Sequence, residues 1–79
     1  MQVEREDILE LLNELVPGVD FENSDSLVDD ELVDSLDIIN IVSELMDRYD
    51  VDINVDDLVP ENFNSVDSII HLIEEKIGF

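Results

Sequence analysis

The residue of this sequence that is best placed for chemistry is Ser35, in the run Asp34-Ser35-Leu36-Asp37. A serine hydroxyl can act as a nucleophile, or it can cap the first turn of a helix. At a helix start, unpaired N–H groups and the helix dipole favour an attached phosphate, although the two flanking carboxylates oppose free phosphate. The apolar Leu36 beside it and the long connection before it favour attachment over capping alone. We therefore predict that Ser35 is an attachment site.

The remaining reactive side chains do not predict catalysis. His71 is the only histidine, and no residue pairs with it at a spacing typical of a triad. With 23 acidic residues, pairs of carboxylates carry no information, because acid/base catalysis requires a pocket that separates two pKa values. A chain of 79 residues is also too short for a catalytic cleft between two layers. We predict a protein that is not an enzyme and has no catalytic residues.

The segment 50–56 is a candidate metal site, because together with Glu61 it places oxygen ligands at positions 1, 3, 5, 7 and 12 of a calcium-binding loop. Position 6 of such a loop requires glycine for its sharp turn, and this sequence has Val55. Pro60 stiffens the end of the loop. We predict no dedicated metal site, and leave open loose binding of divalent cations to the acidic surface.

Composition restricts the partners and the compartment. The formal net charge is −20, from 23 acidic and 3 basic residues, and such a charge repels nucleic acid and anionic lipid surfaces while attracting basic patches on proteins. The hydrophobic fraction of 44% predicts a folded core despite this charge. No apolar window approaches the roughly 20 residues of a membrane span, and the first residues lack a leader pattern. We expect a cytoplasmic monomer without membrane insertion.

Hydrophobic spacing predicts an all-α chain with three main helices and one short third helix. The first helix runs from about Val3 to Val16 and ends at Pro17-Gly18. A long loop follows, with one short turn near Asp29 to Leu32. The second helix runs from about Ser35 to Tyr49. A short helical turn from Asp56 to Val59 is stopped by Pro60, and a last helix begins near Asn64 or Ser65, with Asn64 and Asp67 resembling a capping pair.

The helical periodicity also predicts which residues face the core. At about 100° per residue, the core side of the second helix carries Ile38, Ile39, Ile41, Val42, Leu45, Met46 and Tyr49. The opposite strip carries Leu36, Asn40, Ser43 and Asp47. In the first helix the predicted core residues are Ile8, Leu11, Leu12, Leu15 and Val16, and in the last helix they are Val66, Ile69, Ile70, Ile73 and Ile77. The strict alternation from Asp50 to Val55 is typical of an edge strand, but no partner strand is present.

Together, these features resemble the acyl carrier protein superfamily, in which an Asp-Ser-Leu motif carries 4′-phosphopantetheine on the serine. The resemblance covers nearly the whole chain: the first helix, the long loop, Asp34-Ser35-Leu36 opening the second helix, a short third helix, and a last helix after Phe63-Asn64-Ser65. It implies a four-helix acyl-carrier-like bundle, and we expect residues 1–79 to form one domain.

The resemblance implies a function that needs no catalysis by this chain. A phosphopantetheinyl transferase would use the Ser35 hydroxyl as a nucleophile towards coenzyme A, and the arm would supply the thiol that a chain without cysteine lacks. The arm would carry acyl or aminoacyl groups as thioesters. Asp34 and Leu36 belong to the cofactor-binding motif. Partner recognition is assigned to Leu36, Asp37, Asn40, Ser43, Glu44 and Asp47, which would dock onto loading ligases or synthases with basic patches.

Several alternatives remain within and outside this resemblance. Leu32-Val33 and the long stretch from Tyr49 to Phe63 depart from the fatty-acid-synthesis type, and both are similar to D-alanyl carrier proteins, which have Trp-Asn-Thr where Phe63-Asn64-Ser65 stands here. Ser43 stands where fatty-acid carriers have a larger apolar residue, so the pathway could be lipid, polyketide, peptide or D-alanine metabolism. A different class of function is an acidic helical adaptor that binds a basic helix without any prosthetic group.

Overall fold

The computed structural model describes residues 3–78, so Met1, Gln2 and Phe79 of the predicted domain 1–79 lie outside the described residues. The described helices are α1 Arg5–Leu15, α2 Ser35–Tyr49, α3 Pro60–Phe63 and α4 Val66–Ile77, with a 3-10 turn at Val55–Asp57 before α3. Residues 3–78 contain no β-strand, and the segment after α2 that alternates in sequence is not part of a sheet. The predicted all-α bundle with a short third helix is confirmed.

The core forms where the apolar sides of the three main helices meet. α1 packs against α2 and α4, and α4 also contacts α2 and α3. The buried helical residues are Ile8, Leu11 and Leu12 of α1, Ile41, Val42 and Leu45 of α2, Phe63 of α3, and Val66, Ile69, Leu72 and Ile73 of α4. Full burial of one such side chain contributes about 1.5–3 kcal/mol. Helix packing therefore supplies the stability that no disulfide can supply here.

The long loop between α1 and α2 packs onto the helices through its own apolar residues. Phe21, Leu27 and Val33 are buried in the common core. The radius of gyration is 11.3 Å, close to the roughly 11.6 Å expected for a compact domain of this length. The predicted turn near Asp29 to Leu32 is confirmed, and it begins at Leu27. The loop is therefore part of the packed structure and contributes side chains to its core.

The structure corrects two helix boundaries. The predicted turn that Pro60 would stop is present as the 3-10 turn, but Pro60 then begins α3, because proline is well suited to the first position of a helix. The predicted capping role of Asn64 was wrong. Ser65 is the N-cap of α4, and its Oγ accepts a hydrogen bond from the Ser68 N–H at 3.1 Å.

Two predicted core assignments also differ. Ile39 is 56% exposed, because it lies at the margin of the core side of α2, about 120° around the helix from the fully buried Leu45. Leu72 is buried although the predicted α4 stripe omitted it, since α4 is packed against all three other helices and buries a broad side. Ile70 and Ile77 are half-buried at the margin of the same core.

Two ion pairs link segments that are far apart in the chain. Arg5 at the start of α1 pairs with Asp67 at the start of α4 and also donates to the Glu22 carbonyl. Lys76 at the end of α4 lies 2.7 Å from the Asp57 carboxylate in the 3-10 turn. The hydrogen bond from Lys76 holds the pKa of the Asp57 carboxyl below its usual value, and the Asn54 N–H adds to this effect. None of the helices in residues 3–78 combines the length and apolar character needed to cross a bilayer.

Candidate functional site

Ser35 is the first residue of α2, and its neighbours rather than its own hydroxyl cap the helix. The Asp37 N–H donates to Asp34 Oδ1 at 2.9 Å, and the Asp34 N–H donates back to Asp37 Oδ2 at 3.2 Å. This reciprocal capping box makes Asp34 the N-cap residue. The Ser35 side chain is exposed. Its hydroxyl is therefore not needed as a cap acceptor and is accessible for reaction.

The electrostatics at Ser35 suit a covalently attached anion better than a free one. The backbone N–H groups of Ser35 and Leu36 belong to the first turn, which has no intrahelical acceptors for them, so they can donate to a phosphate. The carboxylates of Asp34 and Asp37 are held at the same helix end by the capping box and repel a free anion. A covalent bond to Ser35 would overcome this repulsion.

A groove of about 480 Å³ opens beside Ser35. Its lining residues are Val28, Glu31, Val33 and Asp34 from the loop, Ser35, Ile38 and Ile39 from α2, and Leu58, Val59, Pro60 and Phe63 from the α3 segment. Ser35, Glu31 and Asp34 are the lining residues with polar side chains, and all the others are apolar. The volume lies within the range of small-molecule sites. The exposed Ile39, predicted to be a core residue, lines this groove.

The predicted recognition residues fall on two adjacent faces of α2. Leu36 is 65% exposed, and Asn40, Ser43 and Asp47 are exposed on the same strip. Asp37 and Glu44 are half-buried and lie about 100° further around the helix. Asp37 Oδ2 already accepts the Asp34 N–H in the capping box, so this carboxylate is only partly available to a partner.

His71 and residues 50–56 are not among the residues that line the groove beside Ser35. His71 is exposed on α4 and lies 3.0 Å from Glu75 one turn later. Across residues 3–78, no group of three or more histidine and acidic side chains is arranged to hold a metal ion. In the segment tested as a calcium loop, Asp50 ends α2 in the left-handed conformation, and the chain continues into the 3-10 turn.

Asn64 is a residue of this region whose role the sequence did not reveal. Its backbone carbonyl accepts from the Leu27 N–H at 2.9 Å, and its side-chain Oδ1 accepts from the N–H groups of Val28 at 2.9 Å and Asp29 at 3.1 Å. Its Nδ2 donates to Asp29 Oδ2 at 3.1 Å. These partners lie more than thirty positions earlier in the chain. No local pattern could have indicated them.

Comparison with known proteins identifies the family. The sequence matches the family model described as a phosphopantetheine attachment site over residues 5–73, which extends from α1 into α4 and includes Ser35. A search of curated proteins and a search of solved structures found no match. Carrier domains of this family are generally not catalytic, and they interact with enzymes such as transferases and synthases. The chain therefore belongs to the phosphopantetheine-attachment family of the acyl carrier protein superfamily, and it is a carrier of covalent 4′-phosphopantetheine.

Proposed function

We propose that this carrier holds its 4′-phosphopantetheine on Ser35 and presents acyl or aminoacyl groups to successive partner enzymes. One observation carries the proposal: the Ser35 hydroxyl is exposed at the first residue of a helix that Asp34 caps, beside an apolar groove. Ser35 is then the substrate of a phosphopantetheinyl transferase. No other residue of the chain is required for chemistry.

Attachment at Ser35 is a group transfer from coenzyme A to the Ser35 oxygen. The Ser35 oxygen would form a new phosphodiester bond with the pantetheine-side phosphorus of coenzyme A, while the P–O bond of the pyrophosphate link to the nucleotide portion breaks. The nucleotide portion would leave with the bridging oxygen, and the hydroxyl proton would pass to the transferase. The backbone N–H groups of Ser35 and Leu36 are placed to stabilise the resulting negative charge. When bound, the group supplies a flexible arm with a terminal thiol that carries the cargo as a thioester.

The groove beside Ser35 is the part of the chain that can shelter an apolar cargo. Its walls are apolar apart from Ser35, Glu31 and Asp34, so an acyl chain loses contact with water on entering it. The exposed Ile39 and Leu58 both line the groove. These side chains are therefore available both to a cargo and to an approaching enzyme.

The surface of α2 supports recognition by basic partners. Leu36, Asn40, Ser43 and Asp47 form one exposed strip, with Asp37 and Glu44 beside it. We propose that Leu36 packs against the partner while the acidic residues attract its basic patch. The partners are the transferase and a loading ligase or synthase in lipid, polyketide, peptide or D-alanine metabolism. We further propose that the carrier acts as a cytoplasmic monomer.

Intact-mass measurement tests the attachment. The purified protein is incubated with coenzyme A and a broad-specificity phosphopantetheinyl transferase, and a gain of one phosphopantetheine mass is expected. Ser35→Ala is expected to gain nothing, whereas Ser43→Ala, which removes an exposed serine from the same helix, reaches the full gain at the end point. Wild-type protein without the gain would favour the adaptor function, and a gain in Ser35→Ala would place the attachment elsewhere.

A further inference from the structure

We infer that Asn64 is a positioning residue for the attachment site, because it clamps the loop wall of the groove to the α3–α4 junction. The inference rests on the proposed attachment at Ser35. Asn64 follows the groove-lining Phe63 and precedes Ser65, the N-cap of α4. Its backbone is therefore fixed by the two helices that it joins.

The clamp consists of four hydrogen bonds to three consecutive loop residues. Asn64 accepts from the N–H groups of Leu27, Val28 and Asp29, and its side-chain amide donates to the Asp29 carboxylate. These three N–H groups begin the turn Leu27–Glu31, and the first N–H groups of a helical turn have no acceptor within it. Asn64 thus caps this turn from a distant part of the chain.

A second set of hydrogen bonds connects the clamped turn to Ser35. The N–H groups of Leu32 and Val33 both donate to the Leu27 carbonyl, at 2.9 and 3.2 Å. Val33 is buried and directly precedes Asp34, the cap of α2. Leu27 is therefore held by Asn64 through its N–H group and holds the approach to Ser35 through its carbonyl.

The same geometry sets the separation of the groove walls. Val28, Glu31 and Val33 line the groove from the loop, while Pro60 and Phe63 line it from α3. Asn64 joins these two sides directly. When the clamp is lost, the loop is free to move away from α3, and both the groove and the presentation of Ser35 change.

An amide is the side chain that fits this position. Its oxygen accepts two N–H groups while its nitrogen donates to Asp29. Aspartate at this position would retain the acceptor but would place two carboxylates about 3 Å apart, which is unfavourable. Exchanging the two side chains, in the double variant Asn64→Asp with Asp29→Asn, restores one donor and one acceptor in reversed order.

The test compares Asn64→Asp, the exchanged double variant and the control Asn23→Ala. Asn23 lies in the same loop, but among residues 3–78 its side-chain amide donates only to the Asp20 carboxylate. Two quantities are measured on initially unmodified protein: the amide hydrogen exchange of Leu27, Val28 and Asp29 by NMR, and the kcat/KM for modification of Ser35. We expect Asn64→Asp to raise the exchange rates and lower kcat/KM by about tenfold each, the double variant to recover both, and the control to match wild type.

The outcomes separate the clamp from the attachment. If the amide exchange rates are unchanged in Asn64→Asp, or if they rise while kcat/KM stays unchanged, the positioning role of Asn64 is contradicted. The proposed attachment at Ser35 is not affected by either result. Wild-type protein that is never modified contradicts the proposed attachment at Ser35, and the positioning role falls with it. If Asn64→Asp does not fold, a folded double variant with wild-type kcat/KM supports the clamp, and an unfolded or slowly modified double variant overturns it.

Discussion

The capping box at the start of α2 leads to a quantitative prediction for Asp34→Ala. The substitution removes the oxygen that accepts the Asp37 N–H at 2.9 Å, and loss of an N-cap side chain costs about 0.5–2 kcal/mol. It also removes one of many repelling carboxylates, which offsets part of the cost. A net loss of about 1 kcal/mol in a domain of this size lowers the Tm by roughly 4–8 °C.

Circular dichroism melting at fixed salt measures this effect, with Asp34→Asn as the matched variant. Asparagine has the same shape, keeps the acceptor oxygen and removes the same charge, so its Tm should be close to that of wild type. The reasoning is refuted if Asp34→Ala melts with wild type, or if Asp34→Asn loses as much as Asp34→Ala. If Asp34→Asn is as stable as wild type but Ser35 is modified more slowly, the transferase recognises the Asp34 carboxylate itself.

Three further predictions concern charge and docking. Added sodium or magnesium chloride should raise the Tm in melting curves, since screening weakens the repulsion of an excess of 20 negative charges; a Tm unmoved by salt contradicts this. Asp57→Asn should lower the Tm at pH 7, because a carboxylate whose pKa is lowered on folding stabilises the protein above its unfolded pKa of about 3.9. This difference from wild type should vanish as the pH falls through the lower, folded-state pKa, and a gap that persists in acid would exclude the Lys76 pairing as its cause. Leu36→Ala should reduce kcat/KM for modification of Ser35 by about tenfold while leaving the Tm unchanged, since the side chain is 65% exposed; a lower Tm would instead indicate a structural role.

The three main helices could be predicted because their signals are local. α2 was predicted with its observed limits, since Asp34 and Asp37 cap it within a single turn and its apolar spacing is regular. The choice of Ser35 as the candidate site rests on equally local signals, because Asp34, Leu36 and Asp37 are its neighbours both in sequence and in space. The exposure of Leu36 follows from helical geometry alone, and the structure confirms it.

The parts that could not be predicted depend on contacts between distant segments. Helical angles place Ile39 at the margin of the core side, and only the folded arrangement shows that it stays exposed beside the groove. Asn64 resembles a helix cap in sequence, yet its side chain bonds to the loop instead. Pro60 is compatible with both a helix end and a helix start, and the packing of Phe63 into the core favours the second.

The placement of the few basic residues has a consequence for how the carrier behaves between partners. Arg5 and Lys76 are engaged in ion pairs that join distant segments, and α2 has no basic residue from Ser35 to Asp47. Arg48 in the last turn is the single basic residue of α2, against the three carboxylates of Asp37, Glu44 and Asp47. A docking enzyme with a basic patch would supply the missing counterions. Because a ligand that binds only the folded state stabilises it, each bound partner would also protect the carrier against unfolding. The free carrier, between one handover and the next, is its most vulnerable form.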